Sequence, residues 1–108
     1  MAENLHAVTV LGMTNTRMKD FFNLALLLRD DTLDDAELKR AIEATFARRQ
    51  TVMPSAIPIG LSDAFAGDTT KQTQWRAFLY KNKLEPLDLD DVVKAIRART
   101  AQFGFPRQ

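Results

Sequence analysis

Apolar side chains recur every three or four residues along most of this chain, which is the spacing of amphipathic helices. The first helix is predicted over residues 2–11 and ends at Gly12. A second is predicted over residues 16–29, after the capping sequence Thr14-Asn15-Thr16. A third is predicted from the N-cap Asp34 to the last turn at Arg48-Arg49, where cations suit the helix dipole.

The second half of the chain repeats the helical pattern after a connection rich in proline. Residues 51–59 contain two prolines and are predicted to be extended along the core. A capped single turn is predicted over residues 62–67. A helix capped by Asp68 or Thr69 is then predicted to run to about residue 82. The last helix begins after the N-cap Asp88, and Gly104 and Pro106 end it and leave a frayed tail.

The pattern therefore predicts an all-α fold, a compact bundle of five to six helices with one proline-containing extended connection. No other segment alternates with the period of a β-strand, and the 108 residues suit a single domain over residues 1–108. The apolar helix faces predict the core residues, which are Phe22, Leu26, Leu38, Ile42, Phe46, Trp75, Phe78, Leu79, Val92 and Ile96.

The second predicted helix differs from the others because it is apolar almost all round and polar along one narrow stripe. Thr16, Lys19, Asp20 and Asn23 fall within one sector of the helical wheel. A helix this apolar is normally buried, so a polar stripe on it must face a partner, a cavity or ordered water. This stripe is the best candidate for chemistry in the sequence.

Composition narrows the classes of function. The chain has no cysteine and one histidine, which excludes disulfides, thiolate metal sites and cysteine nucleophiles. A net charge of +1 gives no bulk attraction to nucleic acid or to an anionic membrane. No apolar run is long enough to span a bilayer, and polar residues interrupt any N-terminal signal pattern. We therefore expect a cytoplasmic protein that binds neither membrane nor, as an isolated chain, nucleic acid.

The sequence from Arg17 to Leu24, Arg-Met-Lys-Asp-Phe-Phe-Asn-Leu, resembles the downstream motif of the AbiEii/AbiGii nucleotidyltransferase-like toxins. Further segments follow in the order expected for the C-terminal helical region of that family. They are residues 45–49, Ala64-Phe65 and residues 74–79. The ordered set covers nearly all of this chain and is more specific than the short motif alone.

The resemblance implies a minimal nucleotidyltransferase, whose upstream strands carry a Gly-rich turn for nucleotide phosphates and carboxylates for Mg²⁺. Neither element is present in this sequence, so Mg²⁺ and a nucleoside triphosphate are implied only for a complete family member, and no metal site is expected here. By the same resemblance, Lys19 would offset phosphate charge, Asp20 would orient or accept a proton, and Arg17 would support the substrate site.

Two positions depart from the family pattern. Asn23 stands where the family usually has an acidic residue, and Asn4 stands where a lysine commonly follows Glu3. Both are expected to line the substrate site together with Arg17, but each lacks a charge. The plain alternative is that Arg17 and Asp20 form a surface ion pair worth under ~1 kcal/mol.

Three functions remain open from the sequence. The chain is a truncated or degenerate family member with a structural or interaction role, or the helical half of a split nucleotidyltransferase completed by an upstream polypeptide. The third is a helical regulatory module that binds proteins. The expected partners are an antitoxin, an upstream catalytic half, or a second copy in a homodimer that covers Val8, Leu11 and Phe21 or Phe22 near Asp20.

Overall fold

The structure is a computed structural model that describes residues 1–30 and 32–106, and these residues form six α-helices and no strand. The predicted all-α bundle is therefore confirmed. The helices are α1 (Ala2–Leu11), α2 (Met18–Leu28), α3 (Asp35–Arg48), α4 (Asp63–Gly67), α5 (Thr69–Lys81) and α6 (Leu89–Thr100). Short 3₁₀ turns follow α1 and α6, and another precedes α4.

Side-chain caps begin four of the helices at the predicted positions. The Asp34 side chain accepts from the Ala36 amide at 2.9 Å and begins α3. Ser62, Asp68 and Asp88 cap α4, α5 and α6 in the same way. Each cap satisfies an amide that the helix itself leaves without a partner.

The start of α2 differs from the prediction. The helix begins at Met18 rather than at Thr16, and its N-cap residue Arg17 makes no side-chain cap. The Asn15 side chain instead accepts from the Arg17 amide at 2.8 Å. This hydrogen bond holds the chain in a tight turn, which keeps residues 15–17 out of the helix.

The face of α2 that enters the core was also predicted wrongly. Leu26 is 50% exposed and Phe22 is only partly buried, whereas Phe21 and Leu24 are fully buried. Because α2 packs against α1, α5 and α6 on one side, the arc through Met18, Phe21 and Leu24 turns inward.

Most of the other predicted core residues are confirmed. The fully or nearly fully buried ones are Ile42, Phe46, Trp75, Leu79, Val92 and Ile96. Leu38 and Phe78 are partly buried and pack against the same core. One contiguous core therefore joins all the long helices.

The short segment that follows α6 packs against the core. Phe103 and Phe105 are buried, and the Phe105 ring meets the Phe46 ring of α3 edge-on at 5.9 Å between centroids. The Arg99 guanidinium lies over the Phe103 ring. Residues 103–105 therefore close the core. The predicted frayed tail, the last two residues, lies outside the described part of the chain.

None of the helices in residues 1–30 and 32–106 is long and apolar enough to cross a membrane.

Candidate functional site

Asp20 lies in the first turn of α2, and its side chain is fully buried. The Arg17 guanidinium approaches it, with Nε 3.2 Å from Oδ2 and Nη2 3.4 Å from Oδ1. Only the contact to Oδ1 has hydrogen-bond geometry, and Oδ2 accepts no hydrogen bond from the described residues. The ion pair is therefore fully buried on the side of Asp20 and half-exposed on the side of Arg17, so it is not the surface pair of the plain alternative.

Burial raises the pKa of the Asp20 carboxyl, while the charges of Arg17 and then Lys19 oppose that rise. Removal from water disfavours the carboxylate form, and nearby cations favour it. The Arg17 side chain is 54% exposed, so solvent screens the attraction that it exerts. Carboxyls whose pKa is shifted by burial and by a charged neighbour occur both at functional sites and in structural ion pairs, so the geometry around Asp20 has to decide its role.

Asn15 and Lys71 form a second buried polar contact beside the start of α2. The Lys71 amine donates to the Asn15 carbonyl oxygen at 2.8 Å, and both residues are almost fully buried. The same amine lies 5.4 Å from the centroid of the Phe65 ring. The Asn15 side-chain amide nitrogen has no hydrogen-bond partner among the described residues. This contact ties the turn before α2 to α5.

No role was predicted for Lys71, and Asn15 was placed only in the capping sequence before the second helix. The structure buries both residues. The spacing of Lys71, Trp75 and Leu79, one helical turn apart, was the available signal, because it places the lysine on the apolar face of α5.

The structure brings two of the predicted site residues to one shallow pocket. Arg17 and Asn4 both line a depression of about 270 Å³ against the side of α1. Asp20 does not line it and is linked to it only through its contact with Arg17. Lys19 and Asn23 are exposed on α2, and neither lines this pocket. The predicted stripe is therefore divided, with Asp20 turned inward and Lys19 and Asn23 turned to solvent.

The far wall of the pocket is an ion-pair cluster between α1 and α3. Glu3 pairs with both Arg48 and Arg49, and the hydrogen bond from Arg49 is the main reason why the pKa of Glu3 is lowered. His6 also lines the pocket, and its Nε2 lies 2.8 Å from the Thr51 hydroxyl oxygen. The cations on this wall already have a carboxylate partner.

The site does not fit Mg²⁺, which the resemblance implies for a complete family member. Mg²⁺ requires near-octahedral oxygen coordination, in which it keeps several waters and binds one or two carboxylates together with substrate phosphates. Among residues 1–30 and 32–106, no three His, Asp or Glu side chains are close enough to hold a metal ion. Asp20 is engaged by Arg17, so we assign no step through a metal to these residues.

The fold and the site define the class of protein: it is all-α, with a buried carboxylate in the first turn of one helix. The family model described as "Nucleotidyl transferase AbiEii toxin, Type IV TA system" matches residues 1–98 of the chain. The chain therefore belongs to the AbiEii family, which confirms the resemblance at the level of the family. Neither a curated protein nor a solved structure matches the chain.

Proposed function

We propose that this chain is the helical component of an AbiEii-type nucleotidyltransferase toxin and that it transfers no nucleotide alone. In this proposal it corresponds to the C-terminal helical region of the family, as a truncated or degenerate member with a structural or interaction role. The support is the family match over residues 1–98 together with a sequence that contains no Gly-rich phosphate-binding turn.

The observation that carries a site at α2 is the burial of Asp20 with one oxygen unsatisfied. A buried carboxylate oxygen without a hydrogen bond destabilises a fold, and packing alone gives no reason to retain it. Arg17, the partner of Asp20, lines a pocket together with Asn4, so a ligand in this pocket would meet the Arg17 side chain. A planar guanidinium suits a phosphate group.

This arrangement favours a second function, the helical half of a split nucleotidyltransferase. An upstream polypeptide would bring the nucleotide-binding strands and the metal carboxylates to the face that holds Arg17. Asp20 would then orient or accept a proton, and Arg17 would bind phosphate. Lys19 and Asn23, on the exposed arc of α2, would meet the added strands rather than the pocket.

The test is reconstitution with the product of the upstream reading frame. Nucleotide transfer that needs both polypeptides, and that falls about a hundredfold with Arg17→Ala or Asp20→Asn, would support the split enzyme. Arg29→Ala is the matched control, since Arg29 is an exposed cation at the opposite end of α2. Transfer that survives both Arg17 and Asp20 substitutions would assign this helix a structural role only.

Partners and location remain proposals. The family description places its members in type IV toxin–antitoxin systems, so we propose an antitoxin as a partner, and a cytoplasmic location. The predicted homodimer loses most of its basis, because Val8 and Phe21 are buried. Exposed apolar side chains near the C-terminal end of α1 are Val10, in the helix, and Met13, in the 3₁₀ turn that follows it. Light scattering of the unmodified chain and of Val10→Glu would test a dimer through them.

A further inference from the structure

The turn that precedes α2 holds the backbone of Arg17 in place. The Asn15 side-chain oxygen accepts from the Arg17 amide at 2.8 Å, and the Met18 amide donates to the Thr16 carbonyl oxygen at 3.0 Å. Arg17 has φ −86° and ψ 76°, which together with the second hydrogen bond forms an inverse γ-turn. Two consecutive hydrogen-bonded turns therefore define the direction in which the Arg17 side chain leaves the backbone.

Arg17 is bound to Asp20 on its other side. Its carbonyl oxygen accepts from the Asp20 amide at 3.0 Å, and its guanidinium contacts the Asp20 carboxylate. The half-exposed Arg17 side chain forms no other ion pair or hydrogen bond with the described residues. A long side chain loses much conformational freedom when it is held in one place. The position of the guanidinium therefore depends on the backbone from which it extends.

Lys71 of α5 holds this turn from across the core. Its amine donates to the Asn15 carbonyl oxygen at 2.8 Å, and it lies 5.4 Å from the centroid of the Phe65 ring. No carboxylate in residues 1–30 and 32–106 lies within ion-pair distance of this buried amine. A buried ammonium is costly without hydrogen-bond partners. The turn therefore cannot move away from α5 without a large loss of stabilisation.

The Phe65 ring joins Lys71 to α2 a second time. It stacks on the Phe21 ring with 5.0 Å between centroids and an angle of 23° between the planes. Both rings are fully buried, and Phe21 directly follows Asp20 in the chain. Lys71 therefore supports the turn before Asp20 directly and the residue after it through Phe65.

We infer that Asn15 and Lys71 are positioning residues that hold the Arg17 guanidinium against the Asp20 carboxylate. Asn15 acts through the Arg17 amide, and Lys71 acts through the Asn15 carbonyl oxygen. The inference rests on the proposed function, in which Arg17 binds phosphate and Asp20 orients or accepts a proton. Neither Asn15 nor Lys71 lines the pocket that contains Arg17, so both act on the site through Arg17.

Three variants test the inference. Asn15→Ala removes the acceptor of the Arg17 amide, and Asn15→Ser, of nearly the same size, restores a hydroxyl that forms such turns more weakly. Lys71→Met removes the amine and keeps an unbranched side chain. The control is Ile42→Ala, which destabilises the fold at a buried position of α3 and leaves the turn before α2 intact.

The first measurement is the pH titration of the Asp20 carboxyl in the isolated chain, followed by carbon-detected nuclear magnetic resonance. The charge of Arg17 opposes the rise that burial causes in the pKa of Asp20, so Arg17→Ala should raise that pKa further. Asn15→Ala and Lys71→Met should raise it as well, because the guanidinium is no longer held at the carboxylate. Asn15→Ser should return the pKa towards that of the unmodified chain.

The double variant Asn15→Ala/Arg17→Ala separates positioning from a general loss of structure. If Asn15 acts through Arg17, the pKa of Asp20 in the double variant should equal that in Arg17→Ala alone. Ile42→Ala should leave the titration unchanged. An unchanged pKa in both Asn15→Ala and Lys71→Met would overturn the inference, and so would a double variant in which the two effects add.

The second measurement is nucleotide transfer in the reconstituted pair of polypeptides. Asn15→Ala should lower transfer about tenfold or more, since a small displacement of a binding group is costly. It should cause no further loss in an Arg17→Ala background. Full transfer by Asn15→Ala would overturn the inference. If the unmodified pair transfers no nucleotide, the proposed split enzyme fails, and the Asp20 titration alone decides whether Asn15 and Lys71 position Arg17.

Discussion

Burial removes the Asp20 carboxylate from water, which costs free energy. Attraction to the half-exposed Arg17 offsets only part of that cost. Because the pKa of Asp20 is raised in the fold, the folded chain holds this proton more tightly than the unfolded chain. The contribution of Asp20 to stability is therefore greatest below the pKa of the unfolded carboxyl. It is lost as the pH rises through the folded-state pKa.

Asp20→Asn keeps the shape of the side chain and removes the charge. At neutral pH we expect it to raise the free energy of unfolding, and the gap to the unmodified chain should close as the pH falls and Asp20 becomes protonated. Urea unfolding across the acidic range measures both effects. Asp91→Asn, at an exposed acidic residue in the first turn of α6, is the control and should change stability by less than about 0.5 kcal/mol. A destabilised Asp20→Asn at neutral pH would contradict this account.

The buried Lys71 gives a second prediction at the residue scale. Lys71→Met removes the donor to the Asn15 carbonyl oxygen and leaves that buried acceptor unsatisfied. We expect a loss of about 1–3 kcal/mol of stability, measured by thermal or urea unfolding. Lys39→Met, at an exposed lysine of α3, should leave stability unchanged. An equal effect of the two substitutions would show that the Lys71 contact is not formed.

At the scale of elements, the sequence predicted correctly those features that depend on neighbouring residues in the chain, above all the starts of the helices. The caps at Asp34, Ser62, Asp68 and Asp88 are short-range signals, and each was confirmed. The inward face of α2 was missed, because a helix that is apolar on nearly every side has no periodicity that identifies its buried arc. The contact between Lys71 and Asn15 was missed because it joins residues 56 positions apart.

The register of α2 predicts a contrast between two leucines of one helix. Leu24→Ala should cost about 2–5 kcal/mol of stability, because Leu24 is fully buried. Leu26→Ala makes the same chemical change at a half-exposed position and should cost about 0.5 kcal/mol or less. Equilibrium unfolding of both variants measures the contrast. A larger loss of stability for Leu26→Ala than for Leu24→Ala would contradict this register and support the buried face that the sequence predicted.

The turn that precedes α4 packs directly on α1. A Cβ added at Gly60 would lie 2.5 Å from the Val8 carbonyl oxygen, so Gly60→Ala forces a backbone to move. We expect it to destabilise the fold by about 1–3 kcal/mol. At Gly67, the last residue of α4, an added Cβ meets nothing within 4 Å. Gly67→Ala should be neutral or stabilising by up to about 1 kcal/mol. Urea unfolding of both variants measures the difference. If Gly60→Ala also left stability unchanged, α1 and the turn before α4 would have to lie further apart than the structure shows.

At the scale of the whole molecule, one core joins the helix that carries Asp20 to the helix that carries Lys71. The buried contact between Lys71 of α5 and Asn15 holds the turn before α2 against that core. The fold class was predictable because helix periodicity and caps are local properties. The division of the polar stripe between a buried Asp20 and an exposed Lys19 depends on how α2 packs against α1, α5 and α6, so only the structure shows it.

The central claim is that this chain transfers no nucleotide by itself, and a transfer assay tests it most directly. The purified chain is incubated with labelled nucleoside triphosphates, Mg²⁺ or Mn²⁺, and tRNA, with protein recovered as well as RNA. The account predicts no labelled acceptor above the level without protein. Labelled RNA or protein whose formation is lost with Asp20→Ala and kept with Asp91→Asn would contradict it.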